Sequence, residues 1–235
     1  MIEGVSKGTA VVTGASSGVG ACYAEQLAER GYDVIMIARN RARMNTLANE
    51  LTDKTGRSFE VVQADLARLA GVQSVESLLR SDSSITMLVN NAGIGAAAPM
   101  LESDTSLISP IIAVNLAALT RFTRAVAPAF ASRGTGTIIQ VATVATGRPE
   151  CKNGMCEAIA AYVLAYSRSL HQEFSDQGIR LQVVLPESKC RRFLQVTDPE
   201  AVRGRVSHAK AAENLVRTAL AGLDHGEFVS MASSR

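Results

Sequence analysis

A glycine-rich segment near the amino terminus carries the first chemical signal in this sequence. It follows a short apolar run, Thr9–Thr13, and it opens a helical pattern that begins near residue 18. Glycines at such a turn let the backbone approach a pyrophosphate, and a helix N-terminus offers unpaired N–H groups to an anion. In this strand–turn–helix context the segment predicts a dinucleotide phosphate site, with a plain glycine-rich turn as the alternative. The candidate residues are Gly14, Ser16, Ser17, Gly18, Val19 and Gly20.

The end of the second apolar run bears on which dinucleotide is bound. Proteins that bind NAD place an acidic residue there to hold the ribose 2′-hydroxyl. This sequence reads Ile37-Ala38-Arg39-Asn40-Arg41, without an acid. A guanidinium matches a 2′-phosphate through bidentate hydrogen bonds, so Arg39 favours NADP(H) over NAD(H). The alternative is that Arg39 and Arg41 only solvate the start of a helix.

The elements that must position these residues alternate along the whole chain. Short β-branched runs are typical of strands buried on both faces, hence parallel, and longer periodic stretches between them are typical of helices. The strands are predicted at Thr9–Thr13, Val34–Ile37, Phe59–Val62, Met87–Val89, Thr137–Val141, Leu181–Leu185 and Phe228–Met231. The helices are predicted at 18–30, 40–55, 71–80, 104–132, 154–177 and 209–222. This alternation predicts an α/β fold, a doubly wound parallel sheet in one domain over residues 1–235. The polar stretch 187–208 is expected to form a loop or a short lid.

Composition excludes several functional classes. The 235 residues carry 24 Lys+Arg against 22 Asp+Glu, a net charge of +2, which does not favour nucleic acid as a partner. Apolar runs stay well short of the roughly 20 residues of a membrane span, and residues 1–8 lack the apolar region of a signal peptide. Four cysteines at irregular spacing do not form a disulfide framework. We therefore expect a cytoplasmic protein without a membrane partner.

Several further motifs resemble those of the short-chain dehydrogenase/reductase family. Residues 13–20 match its TGxxxGxG pattern, and residues 90–93 match its NNAG motif. The resemblance covers about residues 8–230 and implies a Rossmann-type domain that moves hydride between NAD(P) and a carbonyl or an alcohol. It also implies roles at the cofactor for Asp65, Leu66, Asn91, Ala92, Gly93 and Pro186, and a catalytic-helix role for Asn115.

The catalytic residues of that family are altered in this chain. Ordinary members carry a Tyr four residues before a Lys, with a Ser about 13 residues before the Tyr. Each tyrosine of this chain is followed at that spacing by an apolar residue or another tyrosine; the four are Tyr23, Tyr32, Tyr162 and Tyr166. The flanking residues 154–155 and 161–164 align instead with the family helix. This alignment places Cys156 at the Tyr position, Ala160 at the Lys position and Thr143 at the Ser position.

The chemistry explains why this change matters. When hydride reaches a carbonyl carbon, a phenol protonates the oxygen, an ammonium lowers the pKa of that phenol, and a hydroxyl holds the substrate. Thr143 keeps a hydroxyl, but the Cys156 thiol has a shorter reach and Ala160 supplies no charge. Lys152 or Lys189 reaching the site from a loop is a minor alternative.

The sequence therefore predicts a NADP(H)-binding oxidoreductase of this class with weak or no carbonyl reduction. Two alternatives stay open. One is an inactive nucleotide-binding protein that acts as a sensor or a partner subunit. The other is non-redox chemistry at Cys156. The substrate is not predicted by any motif in the sequence.

Two further questions concern metals and assembly. Cys151, Cys156 and Cys190 are expected near one cleft, but without a CxxC motif or a suitably spaced His we predict no metal site. Ordinary buried thiols are the simpler interpretation. The helices predicted at 104–132 and 154–177 carry more apolar surface than one sheet face needs. The resemblance implies that they form the interface of a homodimer or homotetramer, with ordinary core packing as the alternative.

Overall fold

A single parallel β-sheet organises the protein. The computed structural model describes residues 7–95, 101, 104–142, 154–186 and 205–232. The strand order is β3-β2-β1-β4-β5-β6-β7, and every neighbouring pair is parallel. The strands are β1 Thr9–Thr13, β2 Asp33–Ala38, β3 Phe59–Gln63, β4 Ile85–Asn90, β5 Gly136–Val141, β6 Ile179–Pro186 and β7 Val229–Ala232. The predicted doubly wound, Rossmann-type sheet is confirmed, and each predicted strand lies within or overlaps an observed one.

Helices connect the strands and cover both faces of the sheet. They are α1 Gly18–Glu29, α2 Arg41–Thr55, α3 Leu69–Ser81, α4 Ile108–Ile112, α5 Leu119–Arg133, α6 Gly154–Glu173 and α7 Arg205–Asp224. A 3₁₀ turn, Thr105–Leu107, precedes α4, and a π-helical segment, Ala113–Ala118, joins α4 to α5.

Three predicted helices differ from the observed ones. The stretch 104–132 is not one regular α-helix, because the segment Ala113–Ala118 adopts π-helical hydrogen bonding. Helix α6 ends at Glu173 and not at 177, since the chain turns through residues 174–178 to the left-handed Gly178 at φ 68°. Helix α7 begins at Arg205, inside the region predicted to be irregular, because its first turn is polar and gives no apolar periodicity.

The central strands are buried because helices pack on both sides of them, whereas the edge strand β3 is only partly buried, contrary to the prediction. On one side Val12 of β1 packs in a cluster with Leu27 of α1 and Leu220 of α7. On the other side Val11 packs in a cluster with Leu79 of α3 and Phe122 of α5. Since neighbouring residues of β1 serve opposite faces, the strand reads as a continuous apolar run, as parallel strands do.

The strand order changes direction next to β1, and this change positions the site. The chain builds β2 and β3 on one side of β1 and then crosses to place β4 on the other side. In such sheets the connections diverge at the carboxyl ends of the two central strands, which leaves a crevice for a ligand. Val12 of β1 lies in register with Val89 of β4, so the segments after Thr13 and Asn90 meet at this crevice.

One helical stretch has the length and composition of a membrane span. Within the described residues this is Thr105–Arg133, with a mean hydropathy of 1.4 in its most apolar window. A core helix passes the same test, and Phe122, Val126 and Phe130 of this stretch are each 1% exposed where they pack in the sheet layer. The prediction that the protein has no membrane partner stays a prediction.

Candidate nucleotide-binding and active site

The glycine-rich segment closes the carboxyl end of β1 and starts α1. Gly14 adopts a left-handed φ of 68°, and its N–H donates to the Ile37 oxygen of β2 over 2.7 Å. Ser17 precedes α1 in extended conformation and makes no capping hydrogen bond with its side chain. The first N–H groups of α1 therefore lack a side-chain cap and face the turn, as a helix that binds phosphate requires.

Gly20 fixes how closely α1 approaches the turn. A Cβ atom built on Gly20 would lie 2.3 Å from the Gly14 oxygen and 2.5 Å from the Asn91 Nδ2 atom. Real Cβ atoms do not approach backbone that closely, so only glycine fits here. The lack of a side chain brings the helix against the loop, and a pyrophosphate-binding cradle needs this closeness. These residues fit a dinucleotide.

The segment after β4 is braced against the same turn. The Thr13 hydroxyl accepts the backbone N–H groups of Asn91 and Ala92, each over 2.9 Å. The Asn91 side-chain amide donates to the Thr13 oxygen over 2.9 Å and reaches the Gly14 oxygen at 3.4 Å. Gly93 follows directly. The structure thus brings Asn91 and Ala92 against the end of β1 and the start of the glycine-rich segment, and their role at the cofactor, with that of Gly93, stays a prediction.

The end of β2 presents basic side chains beside the crevice. Arg39 is exposed, its backbone oxygen accepts from Gln63, and its side chain forms no ion pair with a carboxylate in the described part of the chain. Asn40 caps α2 by accepting the Arg43 N–H over 3.0 Å. The Arg39 guanidinium, exposed and without a described carboxylate partner, is available to an anion.

The segment after β3 forms the neighbouring wall. The Asp65 carboxylate accepts the Ala67 N–H over 3.1 Å and lies 3.4 Å from the Arg68 Nε atom. Leu66 is 6% exposed and packs in the core next to this turn. Asp65 is thereby held at the same edge of the sheet as the segments after β1, β2 and β4.

Asn115 occupies the π-helical segment. Its Nδ2 group donates to the Ile94 oxygen over 2.9 Å and to the Ile111 oxygen over 2.8 Å. Both amide hydrogens are therefore used to tie this helix to the chain just after the NNAG residues. The side-chain amide acts here as a positioning group, since it contributes no further donor to a substrate.

Helix α6 carries the two altered positions. Cys156 is a half-buried free thiol in the first turn, and Ala160 lies one turn later on the same helix face. A thiol and a methyl group thus stand at the i and i+4 positions. Thr143 lies outside the described residues, as do Cys151, Lys152, Lys189 and Cys190, and Pro186 is described only as the last residue of β6.

The two tyrosines of α6 make contacts that do not replace the missing catalytic phenol. The Tyr162 hydroxyl shares a hydrogen bond of 2.7 Å with Thr120 of α5, and its ring stacks on Tyr166 with centroids 5.7 Å apart. Burial, with smaller effects of Tyr162 and Glu173, raises the pKa of Tyr166 to about 12. Tyr166 is therefore a weaker acid than an ordinary phenol, and Tyr162 is committed to the contact between α5 and α6.

A buried polar cluster behind the crevice was not anticipated from the sequence. Thr123 of α5 accepts hydrogen bonds from Asn90 over 3.3 Å and from Gln140 over 2.8 Å, and donates to the Leu119 oxygen. All three side chains are at most 4% exposed. Polar residues at the ends of the apolar β4 and β5 runs were the signal available in the sequence.

Among the described residues, no group of three potential metal ligands is found.

Comparison with known proteins agrees with this geometry. The family model for short chain dehydrogenase matches residues 8–189. Very-long-chain 3-oxoacyl-CoA reductase of Anas platyrhynchos is 31% identical over 202 residues, which cover 81% of this chain and 62% of that protein. Inactive hydroxysteroid dehydrogenase-like protein 1 of Homo sapiens is 30% identical over 179 residues, 75% of this chain and 54% of that protein. The chain thus spans about three fifths of the length of these curated relatives.

A solved structure gives the same picture for the fold. The short-chain dehydrogenase of Sphingobium yanoikuyae in complex with NADPH superimposes with a TM-score of 0.84 at 38% identity. The match covers 95% of this chain and 87% of that one. Since the family match extends over most of the sequence and the sheet has the expected order, this chain belongs to the short-chain dehydrogenase/reductase family.

Proposed function

We propose that this protein binds NADP(H) and belongs functionally to the oxidoreductases that interconvert carbonyls and alcohols, with strongly reduced turnover. One observation carries the proposal. The nucleotide end of the crevice is intact around Gly14, Gly20 and Asn91, whereas α6 carries Cys156 and Ala160 at the positions where proton transfer needs a phenol and an ammonium.

Different residues of the site would bind different parts of the cofactor. The N–H groups at the start of α1, with Ser16, Ser17, Gly18 and Val19, would hold the pyrophosphate. Arg39 would pair with the 2′-phosphate, because its guanidinium is exposed and without a described carboxylate partner.

The remaining cofactor residues lie on either side of the pyrophosphate. Asp65 and Leu66 would line the adenine end. Asn91, Ala92 and Gly93 would support the ribose on the nicotinamide side. Pro186, at the carboxyl end of β6, would border the nicotinamide.

The reaction would depend on few groups of the chain. A bound nicotinamide supplies or accepts the hydride. The Thr143 hydroxyl would hold the substrate oxygen, and Asn115 would position the helix beside it. The Cys156 thiol would be the nearest proton donor on α6, without a charge from Ala160 to tune it. Loss of a positioned acid–base group lowers rates by about 10²–10⁴.

A titration followed by an assay tests this proposal. NADPH is titrated into the protein by calorimetry, and NADPH oxidation is then followed with ketones and a 3-oxoacyl thioester, since one relative is named for the latter. We expect binding of NADPH and slow turnover. Failure to bind NADPH would overturn the proposal, and turnover at an ordinary rate of about 10 s⁻¹ would overturn the role given to Cys156 and Ala160.

A paired variant tests the alignment of α6. Cys156→Tyr combined with Ala160→Lys is expected to raise the turnover at least about 100-fold, the lower end of a general acid's contribution. The matched control places the same two residues at exposed positions one turn apart on α2, as Asn45→Tyr with Asn49→Lys, and is expected to leave turnover unchanged. Equal rates in both pairs would contradict the assignment.

A second candidate function is a nucleotide sensor or partner subunit without catalysis. It is favoured by the absent Tyr–Lys pair together with the likeness to a human protein that is named inactive. This candidate predicts NADPH binding with no turnover on any carbonyl. Non-redox chemistry at Cys156 is the third candidate, and a product formed without NADPH oxidation and lost in Cys156→Ser would support it.

We also propose a homodimer or homotetramer through α5 and α6. Only 28% of the most apolar window in Thr105–Arg133, which includes α4 and α5, is buried within the chain; Ile112 of α4 is 44% exposed and Tyr162 of α6 is 37% exposed. Such exposed apolar side chains are typical of interfaces. Light scattering during gel filtration tests this, and a monomer at micromolar concentration would exclude it.

A further inference from the structure

A second pocket lies at the opposite edge of the sheet from the candidate site. It has a volume of about 290 Å³ and is bordered by the ends of α1 and α7 and the starts of β1 and β6. Since the strands are parallel, their amino ends share one edge, and a five-residue strand such as β1 separates it from the crevice by about 16 Å. The pocket therefore belongs to a different surface from the nucleotide-binding residues.

Positive charge is concentrated around this pocket. Lys7, Arg30 and Arg180 border it, and Asp224 is the one carboxylate among its lining residues. Arg30 already pairs with Asp224, its Nη1 atom lying 2.8 Å from Oδ2. Lys7 and Arg180 form no ion pair within the described residues, so two cations remain for a ligand.

Arg180 is held in place for such a role. Its Nη2 group donates to the hydroxyl of Thr137, a residue 3% exposed, over 3.2 Å. A guanidinium carries five N–H donors in a planar fork, and this bond uses one of them. The remaining donors suit a carboxylate, which accepts two parallel hydrogen bonds. The held position lowers the entropy that binding would otherwise cost.

One wall of the pocket is aromatic. Tyr32 forms this wall and is partly exposed, with the Lys7 Nζ atom 5.9 Å from its ring centroid, whereas Leu27 and Leu220 lie behind the wall with 0% exposure. Burial raises the pKa of Tyr32 while Arg180 and Arg30 oppose this effect, so the phenol stands near both guanidinium groups. The exposed part of the Tyr32 ring and the positive charges therefore border the same pocket.

We propose that this pocket binds a small aromatic carboxylate. The carboxylate pairs with Arg180 and Lys7, and the aromatic ring of the ligand packs on the Tyr32 ring. The volume, near the lower end of the roughly 300–1,000 Å³ of small-molecule sites, limits the ligand to a small one.

The test uses benzoate as the probe and the full chain as the protein. Benzoate is titrated by calorimetry, with acetate to remove the ring and benzamide to remove the charge. We expect benzoate to bind more tightly than either. Arg180→Met and Lys7→Gln should each raise the benzoate Kd at least about tenfold, while Arg217→Met, an exposed position on α7, should leave it unchanged.

The outcomes separate the proposal from its alternatives. Far-UV circular dichroism shows whether each variant folds. If Arg180→Met does not fold, Lys7→Gln still tests the charge assignment, because Lys7 is exposed. Equal binding of benzoate and benzamide, or variants within about twofold of the unaltered chain, would overturn the charge assignment. Glu3 precedes Lys7 by four residues, so the titration is repeated on Glu3→Gln. Binding seen only in that variant would mean that the chain's own carboxylate is the ligand.

Discussion

The Thr13 hydroxyl accepts the backbone N–H groups of Asn91 and Ala92, and the Asn91 amide returns a hydrogen bond to the Thr13 oxygen over 2.9 Å. Thr13 ends β1 and Asn91 follows β4, so this reciprocal pair joins the two strands at the crevice. The Thr13 hydroxyl also donates to the Val89 oxygen at 3.3 Å. The shape of the glycine-rich segment therefore depends on a side chain that itself need not touch a ligand.

Thr13→Val tests this dependence. The isosteric change removes an acceptor of two N–H groups at a residue that is 1% exposed, so we expect a loss of about 1–3 kcal/mol in the free energy of unfolding. The NADPH Kd should rise as well. Urea unfolding and NADPH titration measure the two effects. Thr46→Val, an exposed position whose hydroxyl donates to Ala42, is the control. Equal small losses in both variants would contradict the bracing role.

Gly20→Ala tests the closeness of α1 to the loop. The added Cβ would lie 2.3 Å from the Gly14 oxygen, so the helix must move away and the NADPH Kd should rise more than about tenfold, with about 1–3 kcal/mol lost in stability. Gly56→Ala is the control, because Gly56 has a φ of 67° and open space around it. It should cost about 1 kcal/mol through backbone strain and leave NADPH binding unchanged. Tight NADPH binding by Gly20→Ala would be incompatible with the cradle.

Arg39→Ala tests the preference for the phosphorylated cofactor. Loss of a charge-assisted pair with a 2′-phosphate should weaken NADPH by at least about tenfold and NADH by less than about twofold. Calorimetric titration of both cofactors measures the ratio. Arg217→Ala, an exposed arginine of α7, serves as the control. If Arg39→Ala weakened both cofactors equally, the argument for NADP(H) would be lost.

The central strands of the sheet were predictable from the sequence because they are buried on both faces, unlike the edge strand β3. Val11 and Val12 serve opposite layers, so the strand reads as an uninterrupted apolar run. The glycine-rich segment was likewise predictable because its role depends on local backbone geometry, whereas the NNAG residues were identified by their resemblance to a family motif.

Other features depend on contacts between distant segments. The π-helical segment has the apolar pattern of an ordinary helix, and the hydrogen bond that Asn115 of this segment donates to the Ile94 oxygen has no local signature in the sequence. Similarly, the pairing of Glu76 in α3 with Arg121 in α5 has no local signature.

Glu76 gives the protein an acid-sensitive contact between α3 and α5. Arg121 donates to its carboxylate, with Nε at 2.9 Å, and Arg80 lies 3.3 Å away. The hydrogen bond from Arg121 is the main cause that lowers the pKa of Glu76, and desolvation opposes it. Because the folded pKa is depressed, this stabilisation is complete above the unfolded pKa of about 4.3 and is lost as the pH falls through the folded value.

Glu76→Gln tests this contact. We expect a loss of about 1.5–3 kcal/mol at pH 7 and a flatter fall of stability below about pH 5 than in the unaltered chain. Urea unfolding across pH 3–7 measures both. Glu29→Gln removes an exposed ion pair with Lys54 and should cost less than about 1 kcal/mol. An unchanged pH profile in Glu76→Gln would show that other carboxylates control acid unfolding.

Tyr23 carries a polar atom that the core does not satisfy. Its side chain is 0% exposed among the residues packed around α1, and its hydroxyl has no hydrogen-bond partner within the described part of the chain. Burial accordingly raises the pKa of this phenol. Removing an unsatisfied buried hydroxyl relieves its desolvation cost, so Tyr23→Phe should stabilise the protein by about 1 kcal/mol in urea unfolding. Tyr162→Phe, which removes a hydroxyl bonded to Thr120, should instead lose about 0.5–1 kcal/mol. A loss of stability in Tyr23→Phe would mean that a buried water satisfies the hydroxyl, since the ring and its packing are the same in both side chains.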